Sequence, residues 1–357
     1  TGQPQDELNL DVYVPIGGQE MKPVVVYVHG GSWRAGDKKN TGLKDEFFTD
    51  LDYVFVSVNY RLSPNPIDLD DEDRIKFPDH PQDLARALAW VFENIHQYGG
   101  DSRRVALLGH SAGAHLVSLV GTDESYLQAE GLSLDQIKCV CSLDAGAYDI
   151  PYYLDTYAPP GSNQYFNYQN AFGSERSDWE SASPISHIEA NKNIPDFMIV
   201  HQGTSQRVDL ANNFGSALEQ AGIPTTYLNA APLDHENING LLGSDNPALE
   251  VYNDSIADFF QTCLFKTVSS IAYFQGQSIE ISTFPNPFHS ECWLSVDEAL
   301  DVANLQLQLL DSKGEILTQW SPQGFLERIK LDTYPNGMYL LKITYQNQIW
   351  TQKLIKN

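Results

Sequence analysis

The residues best suited to chemistry lie in Gly109-His110-Ser111-Ala112-Gly113. The apolar run Val105 to Leu108 precedes them and reads as a buried strand. Leu116, Val117, Leu119 and Val120 follow at helical spacing. A serine on a sharp strand-to-helix turn sits in strained backbone angles with its Oγ exposed. The amino end of the following helix favours developing negative charge. Ser111 is therefore the candidate nucleophile.

Such a serine needs a base, a group that orients the base, and donors for an oxyanion. His29-Gly30-Gly31-Ser32-Trp33 follows directly on the β-branched run ending at Val28. Its two glycines let backbone N–H groups approach a tetrahedral oxygen, so Gly31 and Ser32, with Ala112, are the candidate oxyanion donors. His29 is expected to hold this loop, and Trp33 to pack there and wall the pocket.

The order serine, acid, histidine places the base late in the chain. His235, in Leu-Asp-His-Glu-Asn-Ile-Asn after the last strand of the series, is the candidate. His110 and His115 flank the serine but point away from it or along the helix. His187 reads as structural, and His201 ends a strand. The acid is expected after the strand Phe197–His201. There Asp209 is the only carboxylate in Gln202-Gly-Thr-Ser-Gln-Arg-Val-Asp209. Asp209 is also a good N-cap for the helix that follows. Asp144, Asp149 and Asp234 are the alternatives for the orienting role.

These residues need a scaffold. Leu8 to Pro15 reads as an edge strand, and Lys22–Val28 and Tyr53–Tyr60 as strands buried on both faces. Helices are expected near Gly42–Leu51, over Pro81–His96, Asp209–Ala221 and Pro247–Phe260, and strands over Ile137–Leu143 and Thr225–Asn229. Residues 151–170 are rich in aromatics without periodicity, which suggests a loop or cap beside the active end of the sheet. From this segment and its neighbours, Tyr148, Tyr152 and Tyr153 join Trp33 as candidate substrate-binding residues. The alternation of strand and helix predicts an α/β fold, with a mainly parallel sheet and helices on both faces.

The pattern changes near Cys263. From Ser270 short alternating strands are punctuated by Pro285-Asn-Pro287, Asp311-Ser-Lys-Gly314 and Pro335-Asn-Gly337. The expected organisation is a catalytic domain over 1–265, a linker over 266–279 and a small all-β sandwich over 280–357.

Composition narrows the partners. A net charge of −25 argues against nucleic acid and against an anionic membrane surface. No run of about 18 apolar residues exists to insert into a membrane. The chain starts at Thr1 without a charged-then-apolar leader, the form expected of a processed, secreted protein or of a trimmed sequence. The four cysteines show no metal-ligand spacing, and Cys139 and Cys141 read as small buried apolar residues on a strand. The chemistry calls for neither metal nor cofactor.

Six motifs in order now carry a resemblance. They are Leu-Asp-Val-Tyr-x-Pro (10–15), His-Gly-Gly-Ser-Trp (29–33), Gly-Asp-Lys (36–38), Val-Asn-Tyr-Arg-Leu (58–62), Phe-Pro-x-x-x-x-Asp (77–83) and Gly-His-Ser-Ala-Gly-Ala-His (109–115). Residues 5–263 resemble α/β-hydrolase carboxylesterases of the hormone-sensitive-lipase-like, feruloyl esterase and arylformamidase group. The resemblance implies the α/β-hydrolase fold, with Ser111 and His235 as nucleophile and base and Gly31, Ser32 and Ala112 as oxyanion donors. One departure stands out: Gln206 occupies the place where the family carries its acid.

The tail motifs Phe284-Pro-Asn-Pro-Phe288, Leu309 to Gly314, Pro335 to Ile343 and Lys353 to Asn357 resemble the C-terminal sorting domain of type IX secretion substrates. That implies a secreted or outer-surface location and the export machinery as a partner. The expected function is a secreted serine carboxylesterase acting on short-chain or aryl esters, such as feruloyl or acetyl esters of plant polysaccharide. An arylformamidase-like amide hydrolase and a catalytically silent surface-binding protein are the alternatives.

Overall fold

The computed structural model describes residues 8–17, 21–265, 270–274, 277–284, 291–296, 300–322, 324, 326–346 and 348–356. The chain divides into two units, Thr1–Phe260 and Gln261–Asn357.

In the first unit the continuous apolar runs become the strands of one sheet. They are β1 (Leu10–Tyr13), β2 (Lys22–Val28), β3 (Val54–Val58), β4 (Gly100–His110), β5 (Ile137–Leu143), β6 (Asp196–His201) and β7 (Thr225–Asn229). Their order is β1-β3-β2-β4-β5-β6-β7, with β1 antiparallel to β3 and the remaining pairs parallel. Alternate residues of a strand point to opposite faces. Val24, Val26 and Val28 accordingly join the large cluster with Leu84, Leu88, Leu116 and Val120. From the other face, Tyr27 stacks on Phe55, which stacks on Phe48. Burial on both sides explains why these strands lack alternation.

The helices are α1 (Lys44–Asp50), α2 (Asp79–Asn94), α3 (Ala112–Thr122), α4 (Glu124–Ala129), α5 (Ile150–Tyr157), α6 (Asn163–Phe172), α7 (Arg176–Ser181), α8 (Ser205–Gln220), α9 (His235–Gly240) and α10 (Glu250–Leu264). Two of them correct an expectation. The aromatic stretch 151–170 is not a loop but most of α5 and α6. Asp149 accepts the Tyr152 N–H and Ser162 the Tyr165 N–H, so each helix has a capped start. Tyr168 and Phe172, four apart, are both buried, a spacing masked by the surrounding aromatics. Cys141 is a free, fully buried thiol. Cys139 is buried as expected and is disulfide-bonded.

Register sets up the site. Val28 pairs with Gly109, His110 with Leu143, and Leu143 with Val200. The carboxyl ends of β2, β4, β5 and β6 are therefore level, and the loops that follow them share one edge of the sheet.

The second unit holds two four-stranded antiparallel sheets. One has the order β13-β10-β9-β8 and the other β12-β11-β14-β15. The strands are β8 (Ser270–Phe274), β9 (Gln277–Phe284), β10 (Glu291–Val296), β11 (Leu305–Leu310), β12 (Ile316–Trp320), β13 (Leu326–Lys330), β14 (Gly337–Tyr345) and β15 (Gln348–Lys356). Ile281, Cys292 and Leu294 of one sheet share a core with Leu307, Leu309, Leu341 and Ile343 of the other. β8 and the start of β9 fall inside the stretch expected to be a linker, whereas 266–269 and 275–276 lie outside the described residues. So do residues 1–7, the turn Pro285-Asn-Pro287 and Asn357.

Candidate active site

β4 ends at His110, and the next residue turns sharply. Ser111 has φ 55° and ψ −114°, and α3 begins at Ala112. Only glycine fits at position 113: a Cβ there would lie 2.0 Å from the Val28 carbonyl oxygen. That close approach seats α3 on β2. The Ser111 N–H donates to the Leu143 carbonyl and ties the turn to β5.

His235 is the first residue of α9, capped by Asp234, whose side chain accepts the Asn237 N–H. The Ser111 hydroxyl meets His235 Nε2 at 3.0 Å, and His235 Nδ1 lies 2.6 Å from Asp144 Oδ2. With the Nδ1 proton donated to the carboxylate, Nε2 is left to accept the serine proton. Asp144, immediately after β5, is itself held at φ 53° and is almost fully buried. It also accepts the Gln202 N–H and side-chain amide, each at 3.0 Å. Burial alone would raise its pKa. The His235 hydrogen bond, the Arg207 charge and the Gln202 N–H outweigh it and hold the carboxyl below the usual range.

Asp209 does not take this place. α8 starts at Ser205 with Thr204 as N-cap, so Asp209 sits a turn inside the helix rather than capping it. Its Oδ2 accepts the hydroxyls of Tyr152 and Tyr157, both at 2.8 Å, and thereby anchors α5. Gln206 lies beside the Tyr153 hydroxyl. The carboxylate that meets His235 thus comes from the end of β5, next to the strand that carries Ser111, and not from the end of β6 where the acid was expected.

The loop after β2 is strained where it nears the serine, with Gly31 at φ 123°, Ser32 at 53° and Trp33 at 59°. Ser32 and Ala112 line a cavity with Ser111 and His235. Ala112, the first residue of α3, has no intrahelical acceptor for its N–H. The Gly31 carbonyl accepts from Arg34 and Ala35 and closes the turn. His29 holds this loop: Nδ1 bonds to the Gly30 carbonyl at 2.8 Å, and its ring stacks on Tyr60. Trp33 donates to His115 Nδ1 at 3.2 Å and packs edge-on against Tyr168 and Phe172.

Two further groups hold α9. His110 Nε2 donates to the His235 carbonyl at 2.9 Å, and burial lowers the His110 pKa to about 3, so it acts as a neutral donor. Buried Lys44 donates to the Asn239 carbonyl at 2.8 Å, near the end of α9. Burial lowers the Lys44 pKa to about 7.

The cavity measures about 200 Å³. Of the expected substrate-binding residues, Trp33 and Tyr153 line it. Tyr148 does not: it is buried, stacked on Phe214 with ring centroids 4.4 Å apart and bonded to the Ser142 hydroxyl at 2.7 Å. Tyr152 does not either, because its hydroxyl is directed to Asp209. Gln164, Asn167, Tyr168 and Arg207 line the cavity and were not anticipated. Tyr168 sits in the aromatic stretch, and the spacing to Phe172 was the available signal. Nothing local marks Arg207.

The family model BD-FAE matches residues 10–214, which span the strained loop, the turn at Ser111 and Asp144. The chain belongs to the BD-FAE family. Residues 282–357 of this BD-FAE protein match the secretion system C-terminal sorting domain, which marks it for type IX secretion to the cell surface or the extracellular space. It is 29% identical to the esterase LipQ of Mycobacterium tuberculosis over 60% of this chain and 49% of LipQ. It is 30% identical to the probable carboxylic ester hydrolase LipM of the same organism, over 63% of this chain and 51% of LipM. The chain thus spans about half the length of the curated relatives it matches. Among solved structures, esterase 2 of Thermogutta terrifontis shares the fold at a TM-score of 0.55 and 20% identity, covering 71% of this chain and 87% of that one. No helix among the described residues is long and apolar enough to cross a membrane.

Proposed function

We propose that this protein is a secreted serine carboxylic-ester hydrolase. The observation that carries the reading is the continuous chain of contacts from Ser111 Oγ through His235 to Asp144. In that reading His235 Nε2 takes the Ser111 proton as Oγ attacks the ester carbonyl. Asp144 holds the imidazole in the required tautomer and stabilises the imidazolium that forms. The N–H groups of Ser32 and Ala112, with Gly31 behind them, receive the oxyanion. Losing one such donor costs about 3 kcal/mol in the transition state. Water, activated by His235, then releases the acyl group from the serine.

A cavity of about 200 Å³ suits a short acyl group such as acetyl better than a large aromatic acid. Gln206 stands where the family carries its acid, and the Asp144 carboxylate against His235 weighs against a catalytically silent scaffold. The export machinery is the proposed partner of the C-terminal unit. The test is hydrolysis of p-nitrophenyl acetate by the wild type and Ser111→Ala. Turnover that falls to background in Ser111→Ala is expected. Equal rates in both would sink the serine mechanism.

A further inference from the structure

Arg207 is the one permanently charged side chain among the described residues lining the cavity that holds Ser111 and His235. Its guanidinium lies against the Gly146 backbone: Nη1 is 2.7 Å from where a Cβ at position 146 would stand. Nη1 donates to the Asp144 carbonyl at 3.2 Å, and Nε lies 3.6 Å from Asp144 Oδ2. These contacts fix the side chain without using it up. A guanidinium carries five N–H donors in a planar fork, and Nη2 donates to no group among the described residues. Asp144, the only carboxylate paired with Arg207 among the described residues, is fully buried and already accepts from His235 and twice from Gln202. The other polar groups of the wall that we have named, Tyr153, Gln164, Asn167 and Tyr168, are neutral, and no acidic residue among those described lines the cavity. The protein as a whole carries a net charge of −25, so a half-buried cation lining its substrate cavity runs against the general field.

We propose that Arg207 is a specificity-determining residue that selects esters carrying a carboxylate close to the scissile bond. This inference rests on the ester-hydrolase reading of the same site. A planar guanidinium matches a carboxylate in two parallel hydrogen bonds, which a neutral hydroxyl cannot reproduce. The carboxylate has two chemical sources. It belongs either to the acyl group, as in a monoester of a short dicarboxylic acid, or to the alcohol, as in an acylated uronic acid.

Two matched substrate pairs separate these sources. One is mono-p-nitrophenyl glutarate against p-nitrophenyl pentanoate, corrected for the uncatalysed rate. The other is O-acetyl galacturonate against O-acetyl galactose. The expected result for the wild type is a kcat/KM at least about tenfold higher for the anionic member of one pair, the scale of a charge-assisted contact. The pair that shows it names the side of the ester that Arg207 reads. In R207Q that ratio should fall toward one, and R207K should keep part of it. A residue that merely supports Asp144 would lower both members together and leave the ratio intact. Turnover of the neutral esters with no anionic preference in either pair, or an R207Q ratio equal to that of the wild type, overturns the inference alone. Absence of turnover on all four substrates would sink the ester-hydrolase reading and this inference with it.

Discussion

The sharpest test of the site is Asp144→Asn beside Asp209→Asn. The carboxylate oxygen lies 2.6 Å from His235 Nδ1. At an effective dielectric of about 20, a unit charge pair at that distance is worth about 6 kcal/mol. Such a term exists in full only when the imidazole becomes imidazolium, so it acts on the transition state rather than on the resting enzyme. Four decades of rate correspond to about 5.4 kcal/mol, and a loss of about 10⁴ in turnover is typical when a triad acid becomes an amide. The two figures agree, so Asp144→Asn should lower kcat on p-nitrophenyl acetate by about 10⁴. The fold should survive, since the amide oxygen of the new side chain can still accept the Gln202 N–H. Asp209→Asn loses only the charge on two tyrosine hydroxyl contacts, and should change kcat by less than about threefold while lowering Tm slightly. The reasoning fails if Asp144→Asn keeps more than about a tenth of wild-type kcat, or if Asp209→Asn loses as much as Asp144→Asn.

Two further outcomes concern the support beneath the site. Gly113→Ala should destabilise the protein by at least about 3 kcal/mol, since its Cβ would meet the Val28 and His29 carbonyl oxygens at 2.0 and 2.6 Å with only backbone to give way; a Tm within error of the wild type would refute this. Lys44 titrates near 7 in the fold against 10.5 when unfolded, so across that window the unfolded chain holds more protons and stability must rise with pH. Below about 7 Lys44 is charged in both states and its contribution to the slope vanishes, while the buried Cys141 thiol, raised from 9.0 by burial, and the buried tyrosines, Tyr27 among them, oppose the rise as pH nears 9.0 and 10.0. Denaturant melts between pH 7 and 9.5 should show this rise in the wild type and a flatter line in Lys44→Met; parallel lines would remove Lys44 as its source.

The legible parts of the molecule were those written in contiguous residues. Gly109 to Gly113 between an apolar run and a helical one suffices to place Ser111, because the strand, the turn and the close approach at Gly113 are local. The strained loop at 29–33 reads the same way. His235 followed from order along the chain. The acid did not, because which carboxylate reaches an imidazole depends on sheet order and on where a helix starts. β5 lies beside β4, so the residue after Leu143 is carried to Ser111 although it is 33 positions away. α8 begins four residues before Asp209, which turns that carboxylate toward α5 instead. Two of the tyrosines, Tyr148 and Tyr152, lie away from the cavity for a related reason. Tyr148, Tyr152 and Tyr153 are near neighbours in one stretch, yet one is buried in the core, one is anchored to Asp209 and one faces the cavity, a choice made by packing rather than by composition.

Ser32, Trp33, Ser111 and Asp144 all carry a side chain in backbone angles that glycine adopts more easily. Each such residue holds about 1–3 kcal/mol that the surrounding sheet and helices must absorb. The protein is therefore less heat-resistant than its framework permits, and the deficit is gathered at the edge of the sheet where the reacting groups meet. A laboratory selection that scored survival of heating alone would drift toward glycine at Ser32 and Ser111, whose side chains are small, whereas the packing of Trp33 on Tyr168 and Phe172 and the hydrogen bonds of Asp144 would hold those two in place. It would return a sturdier protein with the proposed nucleophile erased. Selection that also demanded turnover would leave all four residues untouched and find its stabilising changes elsewhere in the fold.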